Sequence, residues 1–129
     1  MSDKVYDVIT VGGGPSGLLC TITAVTGTPI NSPRGFSALV LDKDEIGEFA
    51  RHARLRLTHG WHLEGWQVID YLKQEASQSG IELKNREAVI DVQLDNGLKV
   101  VKTEKGQYRA KKLAVCTGFY PYGNIIKAP

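Results

Sequence analysis

Cysteine is scarce in this sequence: Cys20 and Cys116 are the only two in 129 residues, far apart and outside any Cys-x-x-Cys pair. Their spacing encodes neither a redox dithiol nor a thiolate zinc site, and both are expected as small apolar core residues of a chain kept in a reducing compartment. Long apolar runs are lacking as well. The longest, residues 38–41 and 113–116, fall far short of the roughly 20 residues that span a bilayer. Charge of one sign is not in excess, since 16 Lys and Arg face 14 Asp and Glu for a net charge of +2 with no basic block. Nucleic acid is therefore not an expected partner. The N-terminus enters an apolar strand at once, without the charged start, apolar stretch and cleavage site of a signal peptide, so a cytoplasmic location is the expectation. His59-x-x-His62, with His52 nearby, has no cysteine neighbour and no third ligand set by spacing, and no metal site is assigned.

What is present fits one domain over residues 1–129, with 42% apolar content to build its core. Residues 5–11 read as a buried, β-branched strand that runs into Gly12-Gly13-Gly14. Pro15 and Ser16 suit a helix start, and the spacing predicts a helix over 16–26 that Gly27 and Pro29 end. Its interior, Thr21-Ile22-Thr23-Ala24-Val25-Thr26, is poor in strong helix formers, so packing has to hold it. A polar loop over 28–36 leads to a short strand at 37–41. Residues 45–64 show no clean period and are expected as a long connection with one helical turn. A helix over 67–79 carries Val68, Ile69, Leu72 and Ala76 at helical spacing and stops at Gly80. A third strand is expected at 81–84. Strands at 88–94 and 98–103 flank the Asn96-Gly97 turn, and a turn at 104–106 leads to 107–110, completing a three-stranded antiparallel meander. A last buried strand is expected at 112–116. The fold class is therefore α/β, a Rossmann-like dinucleotide-binding domain with a parallel sheet plus the meander.

Gly12-x-Gly14-x-x-Gly17 follows a strand and opens a helix, and each glycine has a mechanical task. Gly12 permits the tight turn, Gly14 lets a pyrophosphate approach the backbone, and Gly17 lets helix and strand lie close. Pro15 and Ser16 then stand in the first helical turn, whose free amides and dipole attract phosphate. An acid should close the second strand to hold a ribose diol, and Asp42 stands there, followed by Lys43. The gap from Gly17, 42 − 17 = 25 residues, exceeds the usual separation of about 20 because of the loop over 28–36. Asp44 and Glu45 are alternative ribose ligands. An acid here favours FAD or NAD over the 2′-phosphate of NADP. The basic run Arg51, Arg54 and Arg56 is placed either to neutralise a pyrophosphate or as a solvated face.

The string Tyr6-Asp7-Val8-Ile9-Thr10-Val11-Gly12-Gly13-Gly14-Pro15-Ser16-Gly17-Leu18 resembles the opening of the thioredoxin-reductase-like flavoproteins. The stretch Gly106-Gln107-Tyr108-x-Ala110-Lys111-x-Leu113-Ala114-Val115-Cys116-Thr117-Gly118 is similar to that family's meander and Ala-Thr-Gly motif, with Cys116 in place of the alanine. Thr58-His59-Gly60-Trp61, with Glu64-Gly65, resembles the low-molecular-weight subgroup that includes microbial dithiol oxidases. The resemblance implies FAD as cofactor. It also implies that His59 and Gly60 lie near the flavin ring, that Val89 presents its backbone to the adenine, and that Thr117 and Gly118 contact the cofactor. Trp61 and Trp66 either stack on the ring or simply pack.

In the family, an NAD(P)H domain with a Cys-x-x-Cys pair and a returning Gly-Asp segment follow this stretch, and neither is found in these 129 residues. The chain is therefore expected to be a truncated or unusually small relative, with no catalytic residue assignable. NAD(P)H would enter through the missing domain, and the sheet edge left open favours a homo-oligomer. Three functions follow: an FAD-binding module of an oxidoreductase, a non-catalytic nucleotide-binding or scaffolding domain, and an NAD-dependent dehydrogenase domain.

Overall fold

The computed structural model describes residues 4–27, 36–52, 54–56 and 62–117, with Phe49, 54–56, 62 and 63 described by backbone alone. Among these residues eight strands and three helices follow in the order β1 (Val5–Val11), α1 (Pro15–Thr26), β2 (Ala38–Leu41), α2 (Glu48–Arg51), β3 (Arg54–Arg56), β4 (His62–Glu64), α3 (Gly65–Gln78), β5 (Glu82–Lys84), β6 (Val89–Asp95), β7 (Leu98–Thr103) and β8 (Gly106–Val115). Six strands form one sheet in the order β5-β2-β1-β8-β7-β6, and β3 pairs with β4 in a small antiparallel hairpin. Strands β5, β2, β1 and β8 run parallel, whereas β8, β7 and β6 are antiparallel.

The centre of the sheet follows from its apolar runs. All four residues of β2 are buried, as befits a parallel strand covered on both faces. Its residues alternate between two cores. Ala38 and Val40 join Val8, Leu18, Val25, Ile46, Ile69 and Ala76, where α1 and α3 pack. Leu39 and Leu41 join Tyr6, Ile9, Val101 and Ala110 on the other side.

The weak helix formers of α1 have an explanation in this packing. Thr21 is buried and donates to the Gly17 carbonyl at 2.7 Å, while its hydroxyl meets that of Thr10 on β1 at 2.7 Å. Thr26 bonds the Ile22 carbonyl in the same way. Two of the three threonine hydroxyls that could compete with the helix are thus absorbed by it. Helix α3 begins at Gly65, two residues before the expected start, because the Gln67 side chain accepts the Glu64 amide at 3.1 Å in a capping box. The Asn96-Gly97 turn has φ of 50° and 80° at its two central residues, the conformation that a two-residue hairpin requires.

Three expectations are corrected. The stretch over 45–64 holds the expected helical turn, as α2, but also the paired strands β3 and β4, elements too short to impose a period. The strands expected separately at 107–110 and 112–116 are one ten-residue strand, β8, which changes partner without a break. No turn-forming residue interrupts it, and Lys111 in its middle is held by an ion pair with Asp7 on β1 at 3.3 Å. Finally, Cys20 is exposed and Cys116 only half-buried, so neither is a core residue. Among the described residues, β8 beyond Ala110 pairs with β1 alone, and Ile90, Leu94 and Val115 are exposed apolar residues. No helix among the described residues is long and apolar enough to cross a membrane.

Replacing Thr21 by Val leaves the Thr10 hydroxyl buried without a partner. The expected loss is about 1–3 kcal/mol, read from urea unfolding, and Thr21→Ser should recover most of it.

Candidate functional site

The C-terminal ends of β1, β2 and β8 converge on the glycine turn. Gly12 has φ of +106°, and a Cβ there would overlap the Cys116 carbonyl. Its amide donates to the Leu41 carbonyl at 2.8 Å, and the Cys116 amide donates to Val11 at 2.7 Å, so the turn is tied to both flanking strands. A Cβ on Gly17 would overlap the Gly12 carbonyl, which is the close helix-to-strand contact that the motif predicts. Gly14 differs from both. It adopts ordinary extended dihedrals, φ −80° and ψ −173°, and a Cβ on it would meet nothing within 4 Å.

Helix α1 starts at Gly14 without a side-chain cap and without an acid in its first turn. The first intrahelical bond runs from Leu18 N to Gly14 O at 2.9 Å. First-turn amides of a helix have no intrahelical acceptor, and they carry the positive end of its dipole.

Asp42, one residue beyond β2, makes two backbone contacts. Its Oδ2 accepts from Gly13 N at 2.8 Å and its Oδ1 from Asp44 N at 2.9 Å. A carboxylate has about four acceptor positions, so capacity for a diol remains. The Gly13 amide, by contrast, is already engaged. Asp44 and Glu45 both line the cleft as well, and Glu45 is paired with Arg86 at 2.6 Å.

Two hollows meet at this point. The larger, about 270 Å³, is lined by Gly12, Gly14, Pro15, Ser16, Asp42 and Thr117 together with Cys116 and the start of α2. The smaller, about 180 Å³, is lined by Lys43, Ala88, Val89 and Glu87, and shares Gly12, Asp42 and Thr117 with the first. Gly17 lies buried beneath the turn. His59, Gly60 and Gly118 fall outside the described residues, as does Trp61. Trp66 sits exposed on α3. Arg51 pairs with Asp70 of α3 at 2.9 Å, and the side chains of Arg54 and Arg56 lie outside the described residues. Among the described residues no Lys or Arg lines the larger hollow; the N-terminus of α1 opens onto it, and a helix N-terminus carries positive potential.

The sequence reading missed Glu87 and Gly47. Buried Glu87 accepts from Thr103 at 2.8 Å and from Tyr108 at 2.5 Å, and its amide donates to the Asp42 carbonyl at 2.7 Å. It therefore couples the meander to the end of β2. Burial first, and then the Glu87 hydrogen bond, push Tyr108 up to about 12. Gly47 has φ of +80° and leaves the space that the Ile69 side chain fills. Only its position between Ile46 and a helical turn hinted at this.

Two outcomes follow. Asp42→Ala removes the acceptor of two amides and should destabilise the ligand-free chain by about 1–3 kcal/mol in urea unfolding. A tyrosine with a raised folded pKa contributes stability that is complete below its unfolded value of about 10 and is lost as pH climbs through the folded one. Stability should thus fall between pH about 10 and 12, and fall less steeply in Tyr108→Phe, as followed by denaturant midpoints across that range.

Residues 50–129 match the model of the family described as pyridine nucleotide-disulphide oxidoreductase. The thioredoxin reductase of Aquifex aeolicus is 30% identical over 129 residues, covering 97% of this chain and 38% of that protein. That of Peptoclostridium acidaminophilum is 27% identical, covering 92% and 36%. In fold, the chain matches the crystal structure of T. acidophilum thioredoxin reductase with a TM-score of 0.75 at 22% identity, over 90% of this chain and 36% of that one. It likewise matches a bacillithiol disulfide reductase from Bacillus cereus with a TM-score of 0.69 at 24% identity, over 98% and 44%. The chain spans 36–38% of the length of the curated relatives it matches.

Proposed function

The chain belongs to the pyridine nucleotide-disulphide oxidoreductase family, and from that premise we propose that its paired hollows hold the ADP part of FAD, as the cofactor-binding module of a flavin oxidoreductase. Gly14 carries this reading. Gly12 and Gly17 need to lack a side chain for the fold alone, whereas Gly14 has neither strained dihedrals nor a neighbour. Open space that no neighbour fills, at the N-cap of a helix, suits a group that must come close to the backbone.

In this reading the pyrophosphate lies along Gly12, Gly14, Pro15 and Ser16, with Gly17 holding the helix in position. The remaining acceptor capacity of Asp42 serves the ribose diol, and the smaller hollow, with Lys43 and Val89, receives the adenine. Thr117 marks the path toward the flavin, and Gly118, His59 and Gly60 are assigned to that end from the sequence resemblance. FAD, when bound, supplies the hydride-accepting redox chemistry. The protein binds it, orients it and fixes its sugar. For the whole protein we extend the proposal to electron transfer from NAD(P)H to a disulfide or another acceptor, in keeping with the family name.

Titration with FAD and, separately, with NAD tests this. FAD should raise the melting temperature, and flavin absorbance should survive desalting. Gly14→Ala should change the stability of the free chain by less than about 1 kcal/mol yet weaken FAD at least tenfold, about 1.4 kcal/mol. No absorbance and no thermal gain at excess FAD would end the reading. NAD binding in preference to FAD would move it to a nicotinamide dinucleotide.

A further inference from the structure

The fold brings together the two cysteines that the sequence separates. Cys20 lies on α1 three residues after Gly17, a spacing that shares one helix face. Cys116 follows β8, and the bond from its amide to the Val11 carbonyl, 2.7 Å, fixes its backbone beside the glycine turn. Its Cβ stands 3.4 Å from where a Cβ on Gly17 would be, one helical turn below Cys20. Cys20 is exposed and Cys116 half-buried at the rim of the larger hollow, so a small reagent reaches both.

We propose that Cys20 and Cys116 form a thiol–disulfide exchange site that takes a low-molecular-weight disulfide as substrate and closes into a disulfide between α1 and the end of β8. The proposal needs no bound dinucleotide and is independent of the flavin reading. The Cys20 thiolate attacks one sulfur of the external disulfide, breaking its S–S bond and releasing one thiolate. The Cys116 thiolate then attacks the Cys20 sulfur and releases the second. Two protein thiols are oxidised, the external disulfide is reduced to two thiols, and the protons lost by the cysteines are taken up by the departing thiolates. Exposure assigns the first attack to Cys20. Burial, and then the neighbouring Cys20, hold the Cys116 thiol above its ordinary pKa, which suits the residue that resolves the mixed disulfide rather than the one that opens the reaction.

The test incubates the reduced chain with oxidised glutathione, traps remaining thiols with an alkylating agent and reads intact mass. The expected product is a monomer two hydrogen atoms lighter, with no alkylated cysteine. It should form at least about tenfold faster in the native chain than in denaturant, because the fold and not chain proximity brings the sulfurs together. Cys116→Ser should stop at one glutathione adduct on Cys20, and Cys20→Ser should react at least about tenfold more slowly than Cys116→Ser. Circular dichroism checks that both variants are folded. Stable glutathione adducts on both cysteines of the native chain, a disulfide-linked dimer, or equal rates in native and denatured chains would each overturn the proposal.

Discussion

The contact between the Gly12 carbonyl and Gly17 is the constraint on which the rest of the structure depends. It presses α1 onto the end of β1 more closely than any side chain would allow. With the helix held there, Thr21 reaches Thr10, Leu18 enters the core beside Val40, and the first-turn amides open onto the hollow between β1 and β2. Intrinsic propensity would not keep this threonine-rich segment helical by itself. Tertiary burial supplies the difference, which ties the helix's existence to the same glycines that shape its N-terminal end.

Asp42 sits at the junction of scaffold and site. One carboxylate oxygen holds Gly13 and the other holds its own following turn, so the loop that would cradle phosphate and the residue that would hold a sugar are positioned by each other. Glu87 extends this linkage, since its amide meets the Asp42 carbonyl while its buried carboxylate accepts from β7 and β8. The antiparallel half of the sheet is thereby connected to the geometry of the cleft through a short chain of hydrogen bonds and not only through packing.

Most of the fold was legible because its signals are local. The β-branched run of β1, the glycine turn, the helical spacing in α3 and the Asn96-Gly97 turn each carry their own instruction. The site was legible where backbone mechanics fix residue type, as at Gly12, Gly17 and Asp42. What was not legible depends on distant partners. The β3–β4 hairpin has three residues per strand, too few for a period. The burial of Glu87 is set by Thr103 and Tyr108, which no sequence window contains. The meeting of Cys20 with Cys116 likewise arises only when β8 is laid beside β1, and composition alone had pointed both toward the core.

Strand β8 is paired on both edges only at Arg109 and Ala110, with β7 along its first half and β1 along its second. Because side chains alternate with a period of two, one inserted or deleted residue between those halves would turn every following position over to the opposite face. Ala110 would leave its core, or Cys116 and Thr117 would point away from the cleft. This strand acts as a ruler: its length in residues sets which side chains arrive at the turn it serves.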